Sequence, residues 1–364
     1  MVKLRAGTAG GAYDVLIGRG LTERVGELLR ELYGGGAPGG GIAVVSDANV
    51  WALYGARLTA AMESAGLGFF SVVLEPGERA KSLEGLRLVY DAFGRGKLRR
   101  DGLALAFGGG VVGDLCGFAA ATWNRGVDFV QLPTTLLAQV DSGIGGKTAI
   151  NVEAGKNLVG AFYQPRLAVM DTGLQDALPA REYRCGMAEV IKYGAIRSEA
   201  LLGKLAGAAS GGGAAERLEP ALMAEVVREC CDIKKGIVER DEFDRGERML
   251  LNFGHSFGHA IERAGSYERH NHGEAVAMGM VMAARLGEDK GMTEPGTERA
   301  LREILASKGL EADCGYGAEE LLPHMEMDKK RGGAGLRLVL LRRLGDAFIY
   351  DCDFQELREG MAAW

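Results

Sequence analysis

Four of the five histidines of this 364-residue chain lie in the short segment 255–272. His255 and His259 are four residues apart, and His270 and His272 form a second pair. Imidazole is the commonest nitrogen ligand of zinc and the usual side chain that titrates near neutral pH. If the segment is helical, His255 and His259 share one face of the helix. The cluster therefore favours a metal or acid–base site over isolated structural histidines.

The residues around this cluster narrow the kind of metal site. Ser256 stands where an H-E-x-x-H motif has glutamate, which disfavours a metalloprotease. A catalytic zinc site needs about three protein ligands and an open position. Spacing alone would make both histidines of the i, i+4 pair ligands, and Glu189 could supply a carboxylate. Glu262 and Glu274 have the character of ordinary charges on helix surfaces.

A glycine-rich turn in the first half of the chain is a candidate nucleotide site. Gly108, Gly110 and Gly113 fit the pattern G-x-G-x-x-G between a predicted strand and a predicted helix. Glycines there let the backbone approach a pyrophosphate, which the helix N-terminus favours. In a glycine-rich chain, a tight structural turn explains the pattern about as well. The acidic residue expected roughly 20 positions later has no clear counterpart, so Asp47, at the end of an earlier strand, is the better candidate for a ribose hydroxyl.

A second glycine loop, at 141–148, resembles a Walker A loop but has Asp141 in place of its first glycine. This difference disfavours a nucleoside triphosphatase. Lys147 in this loop could be an ordinary solvated lysine. However, Lys156 follows in the next loop and Arg125 lies in the preceding one. Several cations carried by such loops suit a phosphorylated ligand.

Composition excludes several classes of protein. The net charge of −6 gives no basic surface for nucleic acid or an anionic membrane. No apolar run is long enough to span a bilayer, and residues 1–7 lack the apolar stretch of a signal peptide. The six cysteines show no C-x-x-C spacing. A reduced, cytoplasmic protein is the simplest interpretation.

The first half of the chain alternates short apolar runs with helical patterns. Strands are predicted at 41–45, 69–74, 103–107 and 129–132, with a helix at 83–93. This alternation is typical of an α/β fold with a Rossmann-like, doubly wound parallel sheet. Ligands of such sheets bind beyond the carboxyl ends of the strands, where the glycine and charged clusters fall.

The second half changes to mainly helical periodicity, so we expect an α-helical C-terminal domain. The domain boundary is expected at Leu178-Pro179, which gives domains 1–178 and 179–364. One hairpin is predicted, in which 336–341 pairs with 347–350. The predicted helices are 188–196, 218–238, 253–263, 274–290 and 298–308.

In this order, the motifs resemble the 3-dehydroquinate synthase family, and the resemblance extends from Asp47 to Lys330. The family's pair of serines is broken here by Gly143, while the neighbouring Asp141 and Lys147 are kept. Singly, most of these motifs are weak, but together they are highly specific. The matching stretches are 108–126, 133–138, 140–147, 155–160, 186–194, 251–259 and 272–274.

The resemblance implies an NAD-binding N-terminal domain, a helical C-terminal domain that holds a divalent metal, and a homodimer. It implies that Glu189, His255 and His272 bind the metal, which is Zn²⁺, Co²⁺ or another divalent ion. It places His259 near the substrate, against the argument from spacing.

Two further sets of contacts carry over from the family. The implied NAD contacts are Asp47, Glu78, Lys81, Gly110, Val111, Val112, Gly113, Asp114, Thr134, Thr135, Asp141, Lys147 and Lys156. The implied catalytic and substrate-binding residues are Arg125, Lys147, Asn157, Lys192, Lys234, Arg248, Asn252, His259 and Lys330 or its neighbour Lys329.

The family's reaction converts 3-deoxy-D-arabino-heptulosonate 7-phosphate into 3-dehydroquinate and phosphate, in the shikimate pathway to aromatic amino acids. It combines transient oxidation with NAD, phosphate elimination, re-reduction and intramolecular aldol closure. Three alternatives are a metal-dependent polyol or glycerol dehydrogenase, a sugar-phosphate cyclase whose substrate lacks a carboxylate, and a non-catalytic metal- or nucleotide-binding protein. Arg125 favours a substrate carboxylate, which a guanidinium binds in bidentate fashion. Glu189 stands where the dehydrogenases generally have aspartate.

Overall fold

The computed structural model describes residues 1–208, 217–332, 336–362 and 364. The chain forms two compact units. The first unit consists of Met1–Leu178 and Pro220–Phe243, and the second unit consists of Pro179–Glu219 and Asp244–Trp364.

The strands are β1 (Val2–Thr8), β2 (Gly11–Gly18), β3 (Ile42–Asp47), β4 (Phe70–Leu74), β5 (Leu103–Gly108), β6 (Asp128–Pro133), β7 (Lys147–Val152), β8 (Gly155–Phe162), β9 (Leu167–Asp171), β10 (Leu336–Arg343) and β11 (Asp346–Cys352). The helices are α1 (Val25–Leu32), α2 (Ala48–Ser64), α3 (Leu83–Arg95), α4 (Gly110–Thr122), α5 (Ala180–Arg197), α6 (Glu199–Gly207), α7 (Pro220–Arg240), α8 (His255–Ala264), α9 (His272–Asp289), α10 (Thr297–Ser307), α11 (Ala318–Gly332) and α12 (Phe354–Met361).

A sheet in the order β1-β2-β9-β6-β5-β3-β4 forms the centre of the first unit. Its strands are parallel except for the antiparallel β1–β2 pair. Both faces of the central strands are buried, with Leu105 and Phe107 in one apolar cluster and Ala104 and Ala106 in the other. Burial on both faces explains their near-continuous apolar sequences. The predicted Rossmann-like α/β fold is confirmed.

Two hairpins of the first unit are absent from the sequence-based prediction. β1 and β2 form an antiparallel edge, and β7 pairs with β8 outside the main sheet. β8 is exposed along nearly its whole length. Neither of its faces is buried, and its sequence, three mostly polar residues followed by the apolar run 158–162, lacks the apolar/polar alternation typical of a half-buried strand.

Helix α7 packs with the first unit, although it follows Pro179–Glu219, the first chain segment of the second unit. Glu239 accepts a hydrogen bond from the Gly7 amide at 2.7 Å, and Glu242 accepts one from the Ala9 amide at 2.7 Å. The thiol of Cys231 contacts the Gln139 carbonyl at 3.4 Å. The boundary expected at Leu178-Pro179 assigns this helix to the second domain, whereas these contacts attach it to the first unit.

The second unit is mainly helical, as predicted. The hairpin of β10 and β11 also has the predicted partners, with Val339 opposite Ile349. Asn271 caps α9 through a reciprocal capping box with Glu274. No helix in the described part of the chain is both long and apolar enough to cross a membrane.

Helices α8 and α9 approach closely because glycines face each other across their contact. A Cβ atom added to Gly279 would lie 2.1 Å from the carbonyl oxygen of Gly254. Gly254 has a left-handed φ of +79° and directly precedes His255 at the start of α8. The close approach of the two helices therefore determines the position of Gly254 and, with it, the position of His255 at the start of α8.

Replacing Gly279 with alanine should force these helices apart. We expect Gly279→Ala to reduce the free energy of unfolding by about 1–3 kcal/mol, the usual cost of overpacking. Thermal denaturation followed by circular dichroism measures the change. Gly203→Ala is the control, because nothing lies within 4 Å of a Cβ at Gly203 in α6. Equal melting temperatures for the two variants would contradict the close-packing argument.

Candidate active site

Three potential metal ligands converge in the second unit. Glu189 lies in the buried middle of α5, while His255 and His272 are the first residues of α8 and α9. Oε1 of Glu189 is 3.7 Å from Nε2 of His255 and 3.5 Å from Nε2 of His272. One ligand atom from each residue lies within 4.8 Å of the other two. A carboxylate and two imidazoles at this separation suit a divalent transition metal.

The other ring nitrogens of the two histidines have partners as well. Nδ1 of His255 is 3.2 Å from the carbonyl oxygen of Phe253, and Nδ1 of His272 is 3.7 Å from Oε2 of Glu262. Carbonyl and carboxylate groups at this position commonly orient metal-binding histidines. Glu262 is only 7% exposed, so its interpretation as an ordinary surface charge is wrong.

The position of Glu262 in the sequence is itself a signal that it lies beside the histidines. It follows His259 by three residues, so the two side chains lie along the same face of α8. Glu274, by contrast, stabilises the N-terminus of α9. It accepts a hydrogen bond from the Asn271 amide and forms an ion pair with Arg181 at 2.8 Å.

The protonation of the two histidines differs because their surroundings differ. Burial, reinforced by the charge of Lys192, lowers the pKa of His255 to about 3, so its imidazole is neutral. For His272, burial lowers the pKa, but contacts with Glu189 and Glu262 outweigh it and raise the pKa to about 10. Glu189 also forms an ion pair with buried Lys192. Two carboxylates beside one imidazole make this a favourable place for a cation.

His259 belongs to the same cluster, with its ring centroid 5.6 Å from that of His255 and 6.3 Å from that of His272. Together with Glu262 and His272 it forms a second group that has metal-ligand spacing. The geometry thus contains two overlapping donor sets that share His272. Only the first set contains the fully buried carboxylate of Glu189.

Other residues expected at the substrate are near the start of α8. Arg248 and Asn252 lie on the turn Glu247–Asn252, and Arg248 is buried. Asn252 lines a cavity of about 140 Å³ together with Arg245 and Arg337. Lys330 lies in α11, but its side chain is outside the described residues, as is that of Lys329.

In the first unit, the carboxyl ends of β3, β5 and β6 bring the expected nucleotide-binding residues to one edge of the sheet. A Cβ on Gly113 would lie 2.9 Å from the side chain of Gln131, so this glycine allows α4 to pack closely on β6. A Cβ on Gly110 would lie 3.0 Å from Oγ of Ser142. The G-x-G-x-x-G turn is therefore a close-packed strand–helix turn, as the motif requires.

This edge also has the chemical groups that suit a dinucleotide. The N-cap residue of α4 is Gly109, which has no side chain to cap the helix, and a helix N-terminus of this kind favours an anion. Val111 and Val112 lie in that first turn. Oγ1 of Thr134, just beyond β6, is buried and has no hydrogen-bond partner among the described residues. Thr135 follows, and its hydroxyl accepts a hydrogen bond from the Ala138 amide at 3.2 Å.

Charged residues behind this edge form paired contacts. Nζ of Lys81 lies 2.5 Å from both Oδ2 of Asp114 and Oδ1 of Asn157. Burial raises the pKa of Asp114, although Lys81 acts in the opposite direction. Lys234 of α7 donates to the carbonyl and carboxylate of Asp141, both at 2.6 Å. Thus Lys234, expected at the substrate, lies in the first unit.

The remaining expected residues of the first unit are partly at the surface. Lys147 and Lys156 are exposed on β7 and β8. Arg125 is also exposed, with a left-handed φ of +66°. Oδ1 of Asp47 accepts hydrogen bonds from the amides of residues 49 and 50, so this side chain caps α2. This cap fixes the Asp47 carboxylate at the carboxyl end of β3.

Comparison with known families gives matches to both halves of the chain. The model for the N-terminal part of 3-dehydroquinate synthase matches residues 71–185. The model for its C-terminal part matches residues 186–331. The 3-dehydroquinate synthase of Clostridium beijerinckii is 41% identical over 339 residues, which cover 93% of this chain and 94% of that protein.

Two solved structures have the same fold. The 2-epi-5-epi-valiolone synthase from Streptomyces hygroscopicus, with NAD⁺ and Zn²⁺ bound, has a TM-score of 0.84 at 27% identity and covers 96% of each chain. A 2-deoxy-scyllo-inosose synthase complexed with carbaglucose-6-phosphate, NAD⁺ and Co²⁺ has a TM-score of 0.87 at 23% identity and covers 99% of each chain. On the strength of the two family matches and the near-full-length relative, the chain belongs to the 3-dehydroquinate synthase family.

Proposed function

We propose that this chain is a 3-dehydroquinate synthase, a carbon–oxygen lyase that turns 3-deoxy-D-arabino-heptulosonate 7-phosphate into 3-dehydroquinate and phosphate. The observation that carries the proposal is the 41% identity to a curated enzyme of this name over 94% of that enzyme. The site geometry supports it, because a cluster of metal-ligand type and a dinucleotide-type turn both form.

Glu189, His255 and His272 are the proposed metal ligands. Their donor set of one carboxylate and two imidazoles fits Zn²⁺ and also accepts Co²⁺, and His272 would lose its proton when the metal binds. When bound, the metal supplies Lewis-acid polarisation of substrate oxygens. Glu262 and the carbonyl of Phe253 orient the two imidazoles through their Nδ1 atoms. His259 is assigned to the substrate rather than to the metal.

The first unit is the proposed NAD-binding domain. The uncapped N-terminus of α4 would bind the pyrophosphate, and Thr134 at the end of β6 would hydrogen-bond the cofactor. When bound, NAD supplies reversible hydride transfer. The paired Lys81 and Asp114 hold the wall of this site in place. The other proposed NAD contacts are Asp47, Glu78, Gly110, Val111, Val112, Gly113, Thr135, Asp141, Lys147 and Lys156.

The proposed substrate contacts bind different groups of the substrate. Arg125 binds the carboxylate, because a planar guanidinium can donate two parallel hydrogen bonds to it. The lysines and His259 neutralise the phosphate and the oxygens that develop charge during elimination and ring closure. The complete proposed set is Arg125, Lys147, Asn157, Lys192, Lys234, Arg248, Asn252, His259 and Lys330.

We assign NAD binding to domain 1–178 and metal and substrate binding to domain 179–364, except that Pro220–Phe243, which contains α7, belongs with the first domain. A homodimer and a cytoplasmic location complete the proposal, and both rest on the family.

The reaction is tested with purified protein, NAD⁺, Zn²⁺ and the heptulosonate phosphate, by recording released phosphate and NADH absorbance together. We expect phosphate release without net NADH, because the cofactor is oxidised again within each cycle. Stoichiometric NADH without phosphate would identify a dehydrogenase instead. Glucose 6-phosphate, which lacks the carboxylate, serves as the comparison substrate, and its turnover in preference would identify another sugar-phosphate cyclase.

Arg125→Lys tests the carboxylate contact. Lysine keeps the charge but cannot form the bidentate pair, so KM for the heptulosonate phosphate should rise by roughly tenfold or more. Arg95→Lys is the control, because Arg95 is another exposed arginine of the same unit. Steady-state phosphate release measures both variants. An unchanged KM in Arg125→Lys would remove Arg125 from the carboxylate site.

Glu189→Gln and His259→Gln distinguish the two overlapping donor sets. We expect Glu189→Gln to lose most of its bound metal and activity while the fold survives, because an amide is a poor replacement for a ligating carboxylate. His259→Gln should keep its metal and lose activity. Metal content measured by mass spectrometry on protein loaded with Zn²⁺, alongside circular dichroism, gives the answer. The reverse pattern would assign the metal to His259, Glu262 and His272.

A further inference from the structure

Asn151 lies at an irregular position in the β7–β8 hairpin. The strand register shifts between Ile150 and Val152, so Asn151 has no regular partner on β8. Its backbone amide instead donates to the carbonyl oxygen of Lys81 at 2.9 Å. Such irregularities bend a strand and re-aim a side chain, often beside functional sites.

The side chain of Asn151 connects two separate segments. Its Oδ1 accepts a hydrogen bond from the amide of Asn157 at 2.9 Å, and its Nδ2 donates to Oε1 of Glu78 at 2.7 Å. Asn157 has a left-handed φ of +56°. Asparagine tolerates this conformation better than most residues, but it still requires support from its surroundings. The hydrogen bond from the Asn157 amide provides that support.

These contacts close a ring of hydrogen bonds. Asn157 accepts from Nζ of Lys81 at 2.5 Å, and the same ammonium group pairs with Asp114. Asn151 holds Lys81 through its backbone and holds Glu78 and Asn157 through its side chain. Through this ring and its contacts with Glu78 and Asp114, three proposed NAD contacts are joined to one proposed substrate contact, and Asn151 belongs to neither set.

We propose that Asn151 is a positioning residue that holds Asn157 in its left-handed conformation and fixes it against Lys81 and Glu78. This inference rests on the proposed function, because that function assigns the roles of the residues that Asn151 holds. Asn151 contacts neither ligand in this proposal. Its contribution is to keep the NAD-binding segment 78–81 and the substrate-binding turn at 157 in a fixed mutual geometry.

The first test compares Asn151→Ala with Glu153→Ala, an exposed position in the turn of the same hairpin. We expect Asn151→Ala to reduce kcat/KM for the heptulosonate phosphate by about 10- to 100-fold, to weaken NAD binding, and to leave the melting temperature nearly unchanged. Hydrogen–deuterium exchange should become faster in the peptide that contains the Asn157 amide. Glu153→Ala should behave like the wild type in all four measurements.

A role exchange provides the sharper test. Asn151→Asp keeps the acceptor for the Asn157 amide but sets a carboxylate against Glu78. Adding Glu78→Gln restores a donor–acceptor pair with the roles reversed. We expect kcat/KM of the double variant to be at least tenfold higher than that of Asn151→Asp. Glu78→Gln alone is the reference for the effect of the second substitution. Failure to recover, or unchanged exchange at Asn157 in Asn151→Ala, would overturn the inference.

Different results would overturn the proposed function and the positioning role of Asn151. If the wild-type protein releases no phosphate from the heptulosonate phosphate, the proposed function is wrong. If the wild type is active and Asn151→Ala retains full kcat/KM, only the positioning role is wrong. The exchange rate at Asn157 tests the contact itself in either case.

Discussion

The buried carboxylate of Glu189 is the constraint on which the second unit depends. An ionised carboxylate in the protein interior is costly unless charged and hydrogen-bonding groups surround it. Lys192, His255 and His272 are those groups, and they come from three different helices. Helices α5, α8 and α9 must therefore meet at one point, and the close glycine contact between α8 and α9 makes this possible. The same convergence creates a cluster with the donor set of a metal site.

Both histidines that face Glu189 are the first residues of their helices, where the chain direction changes. Gly254 and Asn271, which precede them, set the entry of each helix by a left-handed turn and a capping box, respectively. The positions of the imidazoles are thus determined by backbone geometry as well as by side-chain packing. Glu262 lies beside Nδ1 of His272 and orients its ring. Carboxylates commonly do this for histidines in metal sites.

The first unit follows a different principle. Its parallel strands end along one edge, so residues far apart in sequence become neighbours there. Beyond that edge Lys81 pairs with Asp114, and Asn157 joins them. The β7–β8 hairpin, which carries little core, supplies Asn151 and Asn157 to this network. A peripheral element thereby contributes to the organisation of the site.

The α/β class, strands β3 to β6, the hairpin of β10 and β11 and the cluster of histidines with Glu189 were predictable from the residues alone, because apolar periodicity and motif order are read along the chain. The buried central strand β9 was not predicted. The exposed strand β8 was also not predicted, because its sequence does not alternate between apolar and polar residues, nor was the burial of Glu262, which depends on the contact of α8 with its neighbours. Spacing also made His259 equivalent to His255. Packing adds that His255 lies beside Glu189 of another helix and that His259 joins Glu262 and His272 in a second donor set, because a helix face alone does not specify its neighbours on other helices. The attachment of α7 to the first unit was likewise decided by packing, because chain order does not specify which surface an amphipathic helix covers.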